Sequence, residues 1–137
     1  LTADTTLTVD AHAGRILACN DADGKFTLPT ILSSPLRLTL NNLGATYTFF
    51  IETAATDLDI LTDGTDKFVG GLYTGKDDAT GKTFIAGATN DVITLNGSTK
   101  GGLAGSIIRV TAVADNKYAV EGIILGSGTI VTPFADA

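Results

Sequence analysis

The chain of 137 residues is 44% hydrophobic and only 18% charged, and its 15 acidic and 9 basic residues leave a net charge of −6. That length suits one domain, spanning 1–137, with a single core. The cations stand singly from Arg15 to Lys117, without the basic stripe of a nucleic-acid binder, and no apolar run approaches the roughly 20 residues of a membrane span, so neither nucleic acid nor membrane is an expected partner.

The chain starts at Leu1 and contains no Met, as expected if upstream residues were cleaved or are missing. Glu occurs only at Glu52 and Glu121, whereas Asp, Thr and Gly are plentiful. That balance favours turns and strands over helices. Residues 5–9 and 15–19 read as strands, and Asp21-Ala22-Asp23-Gly24 reads as the hairpin turn that follows. Phe26 and Leu28 then oppose Lys25 and Thr27. Pro29 and Pro35 bracket an irregular segment, since proline cannot donate to a ladder. Beyond it, Leu36, Leu38 and Leu40 alternate with Arg37, Thr39 and Asn41.

Tyr47, Phe49 and Ile51 face one way, against Thr46, Thr48, Phe50 and Glu52. An aromatic residue on the second face predicts a strand covered on both sides. Further strands are expected at 58–61, 67–73, 92–95 and 107–113, and a last one carries Tyr118 and Val120 opposite Lys117, Ala119 and Glu121. Asp63-Gly64, Asn96-Gly97 and Ala114-Asp115-Asn116-Lys117 supply the turn chemistry between them. About nine or ten short strands with frequent turns predict an all-β domain, a β-sandwich or jelly roll.

Reactive constellations are sparse. His12 is the single histidine, so a multi-histidine metal site within one chain is impossible. Cys19 is the single cysteine, which rules out an internal disulfide. A His12–Cys19 pair can be drawn, but Leu17 and Ala18 provide no polarising setting for a thiolate. Gly81-Lys82-Thr83 resembles the end of a phosphate-binding loop, yet the position requiring the first glycine holds Lys76. A polar hairpin tip over 74–82 is the plainer reading.

Asn20-Asp21-Ala22-Asp23-Gly24 hints at a calcium loop, but its first and twelfth positions would be Cys19 and Thr30, neither a suitable ligand. Asp57, Asp59, Asp63 and Asp66 are either a looser surface calcium site or solvated turn residues. Asp77-Asp78 are adjacent and expected to point into water. Asn96-Gly97-Ser98 fits both a glycosylation acceptor and a tight turn. These residues predict no catalytic group, no metal and no cofactor, hence no enzyme.

The C-terminal third carries the most specific pattern. Gly101-Gly102-Leu103-Ala104-Gly105 precedes a strand pair with Tyr118-Ala119-Val120 at its core, followed by Gly126-Ser127-Gly128-Thr129 and Thr132-Pro133-Phe134. This arrangement over 96–134 resembles a family of small tailed-phage virion proteins, which often have Trp where this chain has Tyr118. Thr27-Leu28-Pro29 and Tyr47-Thr48-Phe49 extend the likeness into the N-terminal half, while 31–42 departs from it.

The resemblance implies a structural virion protein on the outer capsid surface, a decoration or cement protein bound to the major capsid protein. It also implies a homo-oligomer, with a trimer favoured by the threefold sites of a shell. The near alternative is a head- or tail-fibre module that binds host-surface carbohydrate. Such a module needs exposed aromatics, and of Tyr47, Tyr73 and Tyr118 only Tyr73 is expected near the surface. Ile130, Val131, Pro133 and Phe134 form the candidate interface, and the competing reading packs them back into the chain's own core.

Overall fold

The computed structural model describes residues 1–33 and 41–137. Pro35 and the alternation of Leu36, Leu38 and Leu40 lie outside the described residues. The rest forms β1 (Thr5–Thr6), α1 (Val9–His12), β2 (Ile16–Cys19), β3 (Lys25–Thr27), β4 (Thr46–Ile51) and β5 (Leu58–Leu61). These are followed by β6 (Lys67–Gly75), β7 (Lys82–Ile85), β8 (Val92–Leu95), β9 (Ile107–Ala114), β10 (Lys117–Leu125) and β11 (Phe134–Ala135). The strands build two mixed sheets, one of five in the order β1-β3-β5-β8-β11 and one of six in the order β2-β4-β9-β10-β6-β7. The fold is an all-β sandwich.

Alternation decides what lies between the sheets. Phe26, Leu58, Ile60, Ile93 and Leu95 from the smaller sheet meet Tyr47, Phe49, Ile51, Phe68, Leu72, Ile108, Val110 and Tyr118 from the larger, and all are fully buried. Phe26 stacks on Phe49 across the sheets with ring centroids 6.3 Å apart. Each such side chain contributes roughly 1.5–3 kcal/mol by leaving water. The Tyr118 hydroxyl donates to Pro29 O, so its ring is anchored at the polar end too.

Several sequence expectations change. The strand over 5–9 stops at Thr6, because Thr8 caps α1 by accepting the Ala11 N–H at 3.3 Å. Asp21–Gly24 is not a hairpin. β2 and β3 enter different sheets, β2 pairing in parallel with β4 and β3 in parallel with β1 and β5. The turn instead docks onto the start of β5, with Ala22 O accepting from Thr56 N at 2.7 Å and Gly24 O from Asp59 N at 3.0 Å. Phe50 is only half-buried, and no second layer covers its face among the described residues.

The hairpin over 74–82 is present but extends further. Its tip is followed by β7, antiparallel to β6 with Leu72 opposite Phe84. Two-residue β11 pairs antiparallel with β8 and closes the smaller sheet. β9 and β10 meet through the expected turn, where Asn116 takes φ +57°.

Candidate functional site

The residues with reactive chemistry are held apart. Cys19 is fully buried, and burial pushes its thiol up to about 12. Its Sγ donates to Leu17 O at 3.5 Å. His12 turns back on its own helix, where its Nδ1 accepts the Thr8 N–H at 2.9 Å. Nucleophile and base therefore share no hydrogen bond.

The aspartates act one by one. Burial raises Asp63, but the N–H groups of Asp66 and Thr65 and the Thr30 hydroxyl outweigh it, and the net shift is downward. Asp66 is fully buried. Burial raises its carboxyl, and the Ile31 N–H at 2.8 Å on Oδ2 only partly offsets this. Its Oδ1 has no partner among the described residues. Asp57 is exposed and Asp59 half-exposed. No three acidic, histidine or cysteine side chains gather as metal ligands among the described residues.

At the β6–β7 tip, Asp77 and Asp78 are exposed as expected. The Thr80 hydroxyl and Lys76, the latter 3.0 Å away, lower Asp78 to about 2. Asn96 Oδ1 accepts from Ser98 N at 3.0 Å and Lys100 N at 2.9 Å, so its side chain closes the turn around Gly97.

Of the residues expected at an interface, Ile130, Pro133 and Phe134 are buried in the chain's own sandwich. Thr94 N donates to Pro133 O at 2.8 Å, and Val131 N to Thr99 O at 2.9 Å. Val131 alone is exposed.

The exposed apolar surface lies elsewhere, on the outer face of the six-stranded sheet. Its strands place Ile16, Tyr73, Ile85, Ile107, Val113, Ile123 and Leu125 in water. Registered pairs line these up in rows across the sheet. One row runs Ala18, Phe50, Ile107, Ile123, Tyr73, Thr83. The next runs Ile16, Thr48, Arg109, Glu121 and, across the break in the β10–β6 ladder between Val120–Gly70 and Ile123–Tyr73, continues as Gly71 and Ile85, with Arg109 and Glu121 paired at 2.9 Å. Ile16 and Ile85, 75% and 78% exposed, stand at opposite ends of that row. Two shallow depressions flank Ile123, one lined by Ile107, Arg109 and Glu121, the other by Tyr73, Lys76, Asp77, Leu103 and Leu125.

Sequence reasoning found five of these six strands, missed β7 with its exposed Ile85, and missed this face. The available signal was Ile123-Ile124-Leu125, a run apolar on both sides of its strand, but assembling a surface from it requires the register. Tyr73 is the only exposed aromatic among the described residues. No protein-family model, curated protein sequence or solved structure matches the chain.

Proposed function

We propose that the protein is a structural component of a tailed-phage virion, a decoration protein that stabilises the outer surface of the head by binding the major capsid protein. The observation that carries this reading is a sandwich with an uncovered apolar band and no joined nucleophile and base among its described residues. Contiguous apolar surface of that kind marks a contact between proteins, in keeping with a chain that works as copies joined to one another while the ends of the sandwich meet the shell. The likeness of residues 96–134 to small phage virion proteins supplies the setting. In this reading the chain works as a homo-oligomer, without catalytic residue, metal or cofactor.

Stabilisation follows from linkage. A protein that binds the assembled shell and not the dissociated subunits shifts the equilibrium toward the shell, and many copies multiply a modest affinity. One end of the sandwich meets the shell, while acidic loops such as Asp77-Asp78 face solvent. Threefold sites suit a trimer, an argument that comes from the role alone.

Particles lacking the protein should assemble normally and then lose their DNA at lower temperature or under osmotic shock. Mass spectrometry of purified virions should find the chain in the head. Particles that are equally robust without it, yet fail to attach to cells, would replace this reading with a carbohydrate-binding fibre module. Tyr73 is the one feature that favours that module, and glycan-array binding abolished by Tyr73→Ala would identify it.

A further inference from the structure

We propose that the outer face of the six-stranded sheet is covered by a second copy of this chain, docked face to face about a two-fold axis running along the strands between β9 and β10. This goes beyond the decoration role and holds wherever the protein works.

The register carries the inference. Such an axis lays β9 of one copy over β10 of the other, β4 over β6 and β2 over β7, without changing the height of any residue along the strands. Each residue of β9 then faces its own cross-strand partner from the other copy. Arg109 meets Glu121, and Glu121 meets Arg109. Ile107 meets Ile123 in the adjoining row. Phe50 falls opposite Tyr73, and Ile16 opposite Ile85. Aligned sheets cross at about −30° because of their twist, so the central pairs are held most closely and the outer ones are offset.

Charge supports a copy of this chain as the occupant. Of 15 acidic residues, Glu121 is the only one in the six strands of this sheet. The strands themselves carry no other acid in a chain of net charge −6, and the acid at the rim, Asp77 beside Tyr73 and Leu125, has the cation Lys76 next to it. The single anion and its neighbouring cation are placed so that each copy answers the other's charge. Lys117 falls opposite Ala114, so no like charges oppose each other on β9 and β10.

The size is adequate. Six strands about 4.8 Å apart make a face some 25 Å wide, and covering its apolar rows on both copies removes on the order of 1,000 Å², near the lower bound for specific interfaces. The contact is isologous and closes at two. It therefore sets a dimer, or an even assembly of dimers, in place of the trimer suited to threefold sites.

The test is light scattering coupled to size exclusion, with circular dichroism confirming the fold of each variant. The parent should elute at the mass of two 14.0 kDa chains. Arg109→Glu alone and Glu121→Arg alone should each be monomeric, because four like charges then meet at the centre. Mixed in equal amounts, the two variants should form heterodimers, since each supplies the charge the other lacks. Ile123→Asp should be folded and monomeric, and no partner variant should restore it. A parent that stays monomeric at tens of micromolar, a trimer, or charge variants that dimerise unmixed would each overturn the proposal.

Discussion

Single side chains in this protein differ sharply in what they hold. Phe49 is fully buried and stacked on Phe26 across the two sheets, so Phe49→Ala should cost about 3–5 kcal/mol, read as a lower midpoint in thermal or urea unfolding. Asp66 is a different case, a buried carboxylate whose Oδ1 lacks a partner among the described residues and whose affinity for protons is raised by burial. A carboxyl that binds its proton more tightly folded than unfolded favours the fold at low pH, and that contribution is lost as pH rises through the folded value. Asp66→Asn should therefore be at least as stable as the parent at neutral pH. Across the interval from the ordinary carboxylate range up to the raised value, the parent should lose stability relative to the variant as pH rises. Urea titrations of both proteins at several pH values check this, and a parent that gains on the variant with rising pH would contradict it. The inward residues were legible in the sequence, because alternation places Phe49, Ile51, Val110, Tyr118 and Val120 on inner faces and all five are buried. The setting of Asp66 was not, since it depends on a segment 35 residues away, whose described residues supply one hydrogen bond, from the Ile31 N–H to Oδ2.

Among elements, local chemistry predicted location better than partnership. The expected strands at 58–61 and 92–95 coincide with β5 and β8, where apolar alternation ends at turn residues. Asp21–Gly24 has good turn chemistry too, yet the strands on either side part company because their partners, β4 and β5, come later in the chain. Nothing local encodes a parallel pairing. The exposed band was hidden for the same reason, since its rows exist only once six strands are in register. Turns also differ in how strictly they require glycine. Gly64 and Gly97 both have positive φ, +86° and +67°. A Cβ at Gly64 meets nothing within 4 Å, whereas one at Gly97 would lie 2.2 Å from Ala55 O. Gly64→Ala should cost about 1–2 kcal/mol, the ordinary penalty for a left-handed alanine. Gly97→Ala should cost clearly more, because the loop over Ala55 must also move. Denaturant unfolding of the two variants side by side tests the order.

For the molecule as a whole, the two sheets divide the labour. The smaller sheet and the loops carry nearly all of the acid, and the larger carries the apolar band with one ion pair at its middle. In the proposed dimer this face joins two chains and leaves the sandwich ends and acidic loops free for another partner. The order of the larger sheet also has a consequence for synthesis. β4 is translated some 60 residues before β9, its neighbour on one side, while β2 is already available on the other. Until 107–114 leaves the ribosome, the run Thr46–Ile51 shows an unpaired edge rich in aromatic and β-branched residues, the kind of edge that templates aggregation. Folding of the larger sheet is thus deferred until 107–114 has been made, and nascent chains arrested before 107 should be a burden to the cell that chains extending past 125 are not.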